Sequence, residues 1–212
     1  MLHTEAVKPA TLELLKSLQS RTWLNGFNLV GGTALSLYLG HRTSIDIDLF
    51  SNFNFDTGQL IELIHQDYPL QLYYTAQNTI KCSIENVNVD IIAHRNPWLN
   101  EPSEIDGIRL VSEPDIVARK LNAISVSGQR SKDFIDIYFV LETHKYSIAD
   151  MLKFYQNKYD QQGEMHVLKS LVYFDDVDLS DWPVMLRKPY LKWADIRKKI
   201  EKDVFLFMKE YT

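Results

Sequence analysis

The feature that most constrains the fold is a pair of glycines between two segments of different character. Residues 27–30 form a short apolar run, Gly31 and Gly32 follow it, and residues 33–39 are rich in helix-forming residues. This order predicts a strand, a glycine turn and a helix. Glycines let backbone amides approach an anion closely, and the first turn of a helix directs N–H groups at it. The segment therefore predicts a phosphate-binding turn, to which Thr33 can add a hydroxyl donor.

A second segment, which follows Thr33 after a spacer of twelve residues, carries two acidic side chains on an alternating pattern. In residues 44–50, apolar residues alternate with Ser44, Asp46 and Asp48, which is the period of a strand with one apolar face. The two carboxylates should leave the same face, with Cα atoms about 6.5 to 7 Å apart. Such a pair favours a shared hard cation. The alternative is a pair of exposed carboxylates on a sheet edge.

The remaining elements of the N-terminal half follow from periodicity and turn residues. They are helices at 4–22 and 57–66 and strands at 69–75, 79–84 and 87–92. Asp90 lies in the last of these strands, on the face opposite its apolar neighbours. If this strand lies beside the Asp46/Asp48 strand, Asp90 supplies a third carboxylate for a two-metal site. A capping or exposed aspartate is the alternative.

The pattern changes to helical at about residue 112, behind a loop marked by two prolines. Helices are predicted at 113–126, 131–143, 147–158, 164–172 and 193–209. We therefore predict an α+β protein, with an α/β head over residues 1–111 and a helical C-terminal region over residues 112–212 packed on the head.

Composition excludes several classes of protein. The net charge of the 212-residue chain is -5, which argues against a globally basic nucleic-acid binder. No window approaches the roughly 18 apolar residues of a membrane span, so no membrane partner is expected. A single cysteine, Cys82, and an N-terminus without a secretory pattern predict cytoplasmic residence. Basic residues are concentrated between Arg187 and Lys202. They could form a solvated helix face or a local patch that binds an RNA backbone.

Four motifs together resemble the nucleotidyltransferase AbiEii/AbiGii toxin family, which belongs to the DNA polymerase beta-like nucleotidyltransferases. The motifs lie at residues 29–35, 42–50, 118–124 and 130–138. The resemblance implies a nucleotidyltransferase-type mixed sheet with flanking helices. It also implies Mg²⁺- or Mn²⁺-dependent transfer of a nucleoside monophosphate from an NTP to an RNA (tRNA) or protein acceptor, by a toxin with an antitoxin partner.

The resemblance also implies roles for individual residues. It makes Asp46 and Asp48 the metal ligands and Lys120 the lysine that meets the nucleotide. Asp90 would be a third ligand, whereas many family members use only two carboxylates. The later acidic residue of the family corresponds to Asp133 or Asp136. The full set of predicted nucleotide contacts is Gly31, Gly32, Thr33, Arg42, Ser44, Lys120 and Lys132.

Two of these positions have simpler interpretations from helical spacing. Lys120 borders the apolar stripe of its helix, so its side chain could either face a phosphate or extend along the edge of the core. Lys132 and Asp136 are four residues apart on one helix and could form an ordinary ion pair. Neither of these simpler interpretations requires a bound nucleotide.

Two other functions compete with the enzyme. One is a nucleotide-binding regulatory module without transferase activity, which would keep the glycine turn. The other is a non-catalytic interaction protein that acts through its helical region. The intact Asp46/Asp48 pair favours the transferase over the regulatory module. A melting temperature that Mg²⁺ and NTP together leave unchanged would indicate the interaction protein.

Overall fold

The computed structural model describes residues 1–160 and 163–210, which form two compact units that meet in sequence between Ser112 and Glu113. The strands of the first unit are β1 (Asn28–Leu29), β2 (Ile47–Ser51), β3 (Leu70–Ala76), β4 (Thr79–Ile84), β5 (Val87–Ala93), β6 (Ser103–Ile105) and β7 (Ile108–Leu110). Its α-helices are α1 (Pro9–Gln19), α2 (Gly31–Leu39) and α3 (Thr57–Asp67). The second unit contains α4 (Glu113–Val126), α5 (Ser131–Glu142), α6 (Ile148–Tyr159), α7 (Glu164–Leu171) and α8 (Trp193–Glu210).

The strands of the first unit form one mixed sheet in the order β3-β4-β5-β2-β1-β7-β6. β2 runs parallel to β5 and β1 runs parallel to β7, whereas the other neighbours are antiparallel. On one face, Ile47, Leu49, Val89 and Ile91 are fully buried. This face forms the core, and the opposite face of β2 and β5 carries the acidic residues. The α+β prediction with a mixed sheet and flanking helices is confirmed.

Three elements differ from their predicted boundaries by more than one residue. The strand predicted at 44–50 begins only at Ile47, and Ser44 instead makes a single parallel bridge with Val7. The helix predicted at 4–22 is confined to α1, since Pro9 occupies its first position, where the missing N–H costs nothing. The helix predicted at 33–39 begins two residues earlier, at Gly31.

A hairpin of two short strands was absent from the prediction. β6 and β7 are joined by Asp106 and Gly107, whose φ angles are +55° and +75°. Two successive positive φ values are typical of a type I′ turn, and Asp-Gly is a favoured pair for it. Strands of three residues are too short to show an alternating pattern, so only the turn could have indicated this hairpin.

The second unit is helical throughout its described elements, and its helix boundaries lie within one residue of those predicted. α4 contacts α5, α6 and α7, and α8 contacts the same three helices. A cluster of aromatic rings joins Phe134 to Phe174 and Trp193 at centroid distances of 5.4 and 5.7 Å. Across the described residues, no helix is long and apolar enough to cross a membrane.

Candidate active site

The Asp48 carboxylate lies against the glycine turn. Gly31 has φ +71°, and a Cβ added there would lie 3.2 Å from Asp48 Cγ and closer still to Oδ2. The backbone N–H of Val30 also donates to the Asp48 carbonyl at 2.9 Å. Only glycine therefore suits position 31, for its backbone conformation and for the space that the carboxylate occupies.

The guanidinium of Arg42 lies against the next glycine. A Cβ added at Gly32 would lie 3.4 Å from Arg42 Cζ and closer to Nη2. Arg42 is 2% exposed, and its Nη1 donates to the Thr43 carbonyl at 3.0 Å. The first turn of α2 offers N–H groups without partners inside the helix. The Asp48 carboxylate lies against Gly31 at this turn, and the Arg42 guanidinium lies against Gly32.

Thr33 connects the helix to the acidic segment. Its buried hydroxyl lies 2.8 Å from Ser44 Oγ and donates to the Asp46 carbonyl at 2.5 Å. In this structure the Thr33 hydroxyl and the Ser44 hydroxyl bond to each other and hold the Asp46 backbone in place. Their direct contact with a phosphate stays a prediction.

Asp46 lies immediately before β2, and its carboxylate accepts a hydrogen bond from Asn88 Nδ2 at 3.1 Å. Asn88 and Asp90 alternate with buried residues on β5, and Asp90 is the register partner of Asp48. Asp46 and Asp48 therefore project from the same, acidic face of the sheet.

Asp90 is held by a cation from the next strand. Lys81 on β4 is its register partner, and Lys81 Nζ lies 2.8 Å from Asp90 Oδ2. The sequence analysis did not identify Lys81 or Asn88. Asn88 could have been identified from the sequence, because it lies two residues before Asp90 and so shares its strand face. Identifying Lys81 would have needed the register between β4 and β5, which the turn at Glu85 and Asn86 determines.

Asp46 and Asp48 are the carboxylates of this face that could hold a metal ion. Over the ranges 1–160 and 163–210, no group of three or more His, Cys, Asp or Glu side chains is arranged to hold a metal ion. Mg²⁺ commonly uses one or two protein carboxylates together with substrate phosphates and water. Asp46 and Asp48 fit this mode as a pair of carboxylates beside the first turn of α2, and a role for Asp90 as a ligand would require it to leave Lys81.

Cys82 lies beside Lys81 in sequence but on the buried face, where its Sγ donates to the Val89 carbonyl at 3.3 Å. Burial, and secondarily the Asp90 charge, raises the pKa of the Cys82 thiol to about 12. A thiol that stays protonated is a poor nucleophile. Cys82 is therefore a poor candidate for a nucleophile, and the candidate reactive groups are the carboxylates of the opposite, acidic face.

The predicted residues of the second unit also form a cluster. Lys120 Nζ lies 2.6 Å from Asp133 Oδ1 and 2.7 Å from Asp136 Oδ2, and all three side chains are at most 8% exposed. Lys120 is therefore buried and paired with both aspartates rather than extended along the edge of the core, and its contact with a nucleotide stays a prediction. Removing one charged side chain of this buried cluster would leave the charge of its partner uncompensated.

Lys132 does not pair with Asp136, so the simple interpretation of a helical ion pair is also wrong. Lys132 instead contacts the Asp181 carboxylate. The basic segment that follows is partly neutralised, because Lys188, Arg197 and Lys199 contact Glu142, Glu201 and Asp203, respectively.

A second buried ion pair joins α6 to α4. Lys158 Nζ lies 2.7 Å from Asp115 Oδ1, and both side chains are 0% exposed. Burial lowers the pKa of Lys158, and the hydrogen bond to Asp115 opposes that effect. No sequence pattern marked this pair, since lysine and aspartate at these positions read as ordinary helix-surface residues.

Comparison with known proteins places these features in a family. The model of the family described as "Nucleotidyl transferase AbiEii toxin, Type IV TA system" matches residues 13–69 and 68–207. An uncharacterized protein of Aquifex aeolicus (strain VF5) is 28% identical over 209 residues, which cover 97% of each chain.

Two crystal structures from Helicobacter pylori share the fold. One, assigned as a nucleotidyltransferase, has a TM-score of 0.56 and 16% identity over 96% of each chain. The other, JHP933, has a TM-score of 0.53 and 17% identity, over 96% of this chain and 94% of its own. The family model spans most of the sequence, including both units, and the chain therefore belongs to the nucleotidyl transferase AbiEii toxin family of type IV toxin–antitoxin systems.

Proposed function

We propose that this chain transfers a nucleoside monophosphate from an NTP to an acceptor hydroxyl in RNA (tRNA) or protein, with Mg²⁺ or Mn²⁺ as cofactor. The observation that carries the proposal is the Asp48 carboxylate packed on Gly31 at the first turn of α2, beside Arg42. This arrangement juxtaposes anion-binding backbone amides with a candidate metal ligand. Family membership supports the transferase class.

In the proposed reaction, the acceptor oxygen attacks the α-phosphorus of the NTP. An O–P bond forms, the bond between the α-phosphorus and the bridging oxygen breaks, and pyrophosphate leaves with the electron pair while the hydroxyl proton passes to solvent. A bound divalent ion would supply charge neutralisation for the phosphates. The amides of the α2 first turn and the Arg42 cation orient the triphosphate, and Thr33 and Asn88 fix the Asp46 segment.

The test is incorporation of α-labelled NTPs into bulk tRNA and into total protein, with and without Mg²⁺. Asp48→Ala is expected to reduce incorporation about a hundredfold or more, since it removes charge stabilisation from the reacting centre. Asp176→Ala, which changes an exposed aspartate of the second unit, is the matched control. Equal incorporation by wild type and Asp48→Ala would refute the proposal.

A nucleotide-binding regulatory module is the alternative outcome. It would bind Mg²⁺-NTP in an Asp48-dependent manner but add no label to any acceptor.

The family's type IV toxin–antitoxin description supports a further proposal, that an antitoxin protein restrains the enzyme. Expression of wild type, but not of Asp48→Ala, should then arrest growth unless the antitoxin is co-expressed.

A further inference from the structure

The acidic face of the sheet continues beyond Asp90 into a lysine and a tyrosine. The register aligns Asp48 on β2, Asp90 on β5, Lys81 on β4 and Tyr74 on β3 as successive neighbours. Register partners project from the same face, so these four side chains form a row. The row spans three strand spacings, or roughly 14 Å. We call the part formed by Tyr74 and Lys81 the outer strip.

The outer strip is open to solvent and carries no negative charge of its own. Tyr74 is 55% exposed, and the adjacent bulge residue Tyr73 is 57% exposed. The Lys81 side chain is 46% exposed. β3 is the terminal strand of the sheet, and residues 68–80 contain no charged residue. Two exposed aromatic rings beside a lysine on a sheet edge have no role in the core.

We infer that the outer strip binds the acceptor, and that the acceptor is a single-stranded nucleic acid. The inference rests on the proposed function, because the strip is continuous with the carboxylates that would hold the divalent ion beside the reacting phosphate. Tyr74 would stack on a base and Lys81 would contact a backbone phosphate. An ammonium group has three N–H donors, so the bond to Asp90 leaves Lys81 two donors for that phosphate.

The chemistry of the strip favours nucleic acid over a protein acceptor. Exposed aromatic side chains interleaved with cations are the usual means of binding single strands, because every base has a face that can stack. A protein acceptor of matching chemistry would instead need an apolar groove or an acidic segment. The continuous row therefore places the bound strand end next to Asp90 and Asp48.

The experiment measures binding of a labelled single-stranded oligoribonucleotide to the full chain by fluorescence anisotropy. Tyr74→Ala is expected to weaken binding about tenfold, the effect of removing one stacking side chain, and Tyr74→Trp should restore it. Lys81→Met is expected to reduce the slope of log K against log salt by about 0.7, the value for one phosphate contact on a single strand. Tyr173→Ala and Lys153→Met, at exposed positions of the second unit, are the matched controls.

Binding of Mg²⁺-NTP, measured on the same variants, separates this inference from the proposed function. If both strip variants bind the oligonucleotide as wild type does, the outer strip is not the acceptor site. Loss of oligonucleotide binding on charge reversal at Lys198 and Lys199, with the strip variants unaffected, would assign RNA to the basic segment instead. Transfer of label to protein, with no affinity for the oligonucleotide, would also overturn the inference.

Discussion

Gly31→Ala tests whether the carboxylate and the glycine turn form one unit. The substitution forces a non-glycine residue to φ +71° and places its Cβ 3.2 Å from Asp48 Cγ. A positive φ costs a non-glycine residue roughly 1–2 kcal/mol, and the smaller conformational entropy of alanine in the unfolded chain returns about 0.4–1 kcal/mol. The backbone alone therefore lowers the free energy of unfolding by about 1 kcal/mol.

Gly107→Ala isolates that backbone cost. Gly107 has φ +75°, and a Cβ there meets nothing within 4 Å. In urea denaturation, Gly107→Ala should lower the free energy of unfolding by about 1 kcal/mol. Gly31→Ala should lower it by a further 0.5–3 kcal/mol, roughly, because the interaction energy between residues in contact is of that size. Adding Asp48→Ala to Gly31→Ala should recover the further loss, since it removes the obstructing carboxylate.

Binding completes the test. Isothermal titration with Mg²⁺-NTP should show unchanged affinity for Gly107→Ala and weaker binding for Gly31→Ala, because the displaced carboxylate and the shifted amides can no longer hold the metal ion and its phosphate together. If the Gly31→Ala protein is as stable as Gly107→Ala and binds Mg²⁺-NTP as tightly as wild type, the packing of Asp48 on Gly31 is refuted.

Two further predictions concern the helical unit. Lys158→Met should lower the free energy of unfolding in urea by about 3–5 kcal/mol, because Asp115 stays buried without its cation. A Lys158→Met/Asp115→Leu protein should recover most of that loss, since no buried charge remains. Equal instability of the two proteins would argue against the ion pair. Hydrogen bonds from Ser147 to Asp150, which complete the capping box of α6, lower the pKa of Asp150 in the folded state. Their contribution is present above the unfolded pKa and is lost as pH falls through the folded pKa. Asp150→Asn should therefore cost about 1 kcal/mol near neutral pH and flatten the acid limb of stability against pH, and an unchanged limb would exclude this contribution.

The sequence predicted the parts of the fold in which local pattern and tertiary structure agree. Alternation over residues 44–50 predicted a strand with a buried apolar side, which holds for Ile47 and Leu49 but not for Ile45, which is 52% exposed. The glycine pair marked the start of α2. The pattern could not show that the strand begins at Ile47, because Ser44 alternates correctly yet pairs with Val7 rather than with the sheet. Before Ile47, the alternation therefore indicated neither the burial of Ile45 nor the backbone pairing of Ser44.

The candidate site was predictable where residues lie close in sequence. Asp46, Asp48 and the glycines were found from their spacing, whereas Asn88 and Lys81 come from strands whose neighbours depend on the sheet order. The ion pairs of the helical unit were missed for a related reason. A lysine buried through contact with an aspartate 43 residues earlier, as in Lys158 and Asp115, leaves no periodic trace.

The uncharged border strand has a practical consequence for handling the protein. Natural sheets protect such borders with lysines, prolines or very short strands, yet β3 offers seven residues without one charge. Concentrated preparations should then polymerise edge to edge through β3 sooner than through β6, which is only three residues long. A lysine introduced at the exposed Gln71 should keep such preparations dispersed without altering the carboxylates.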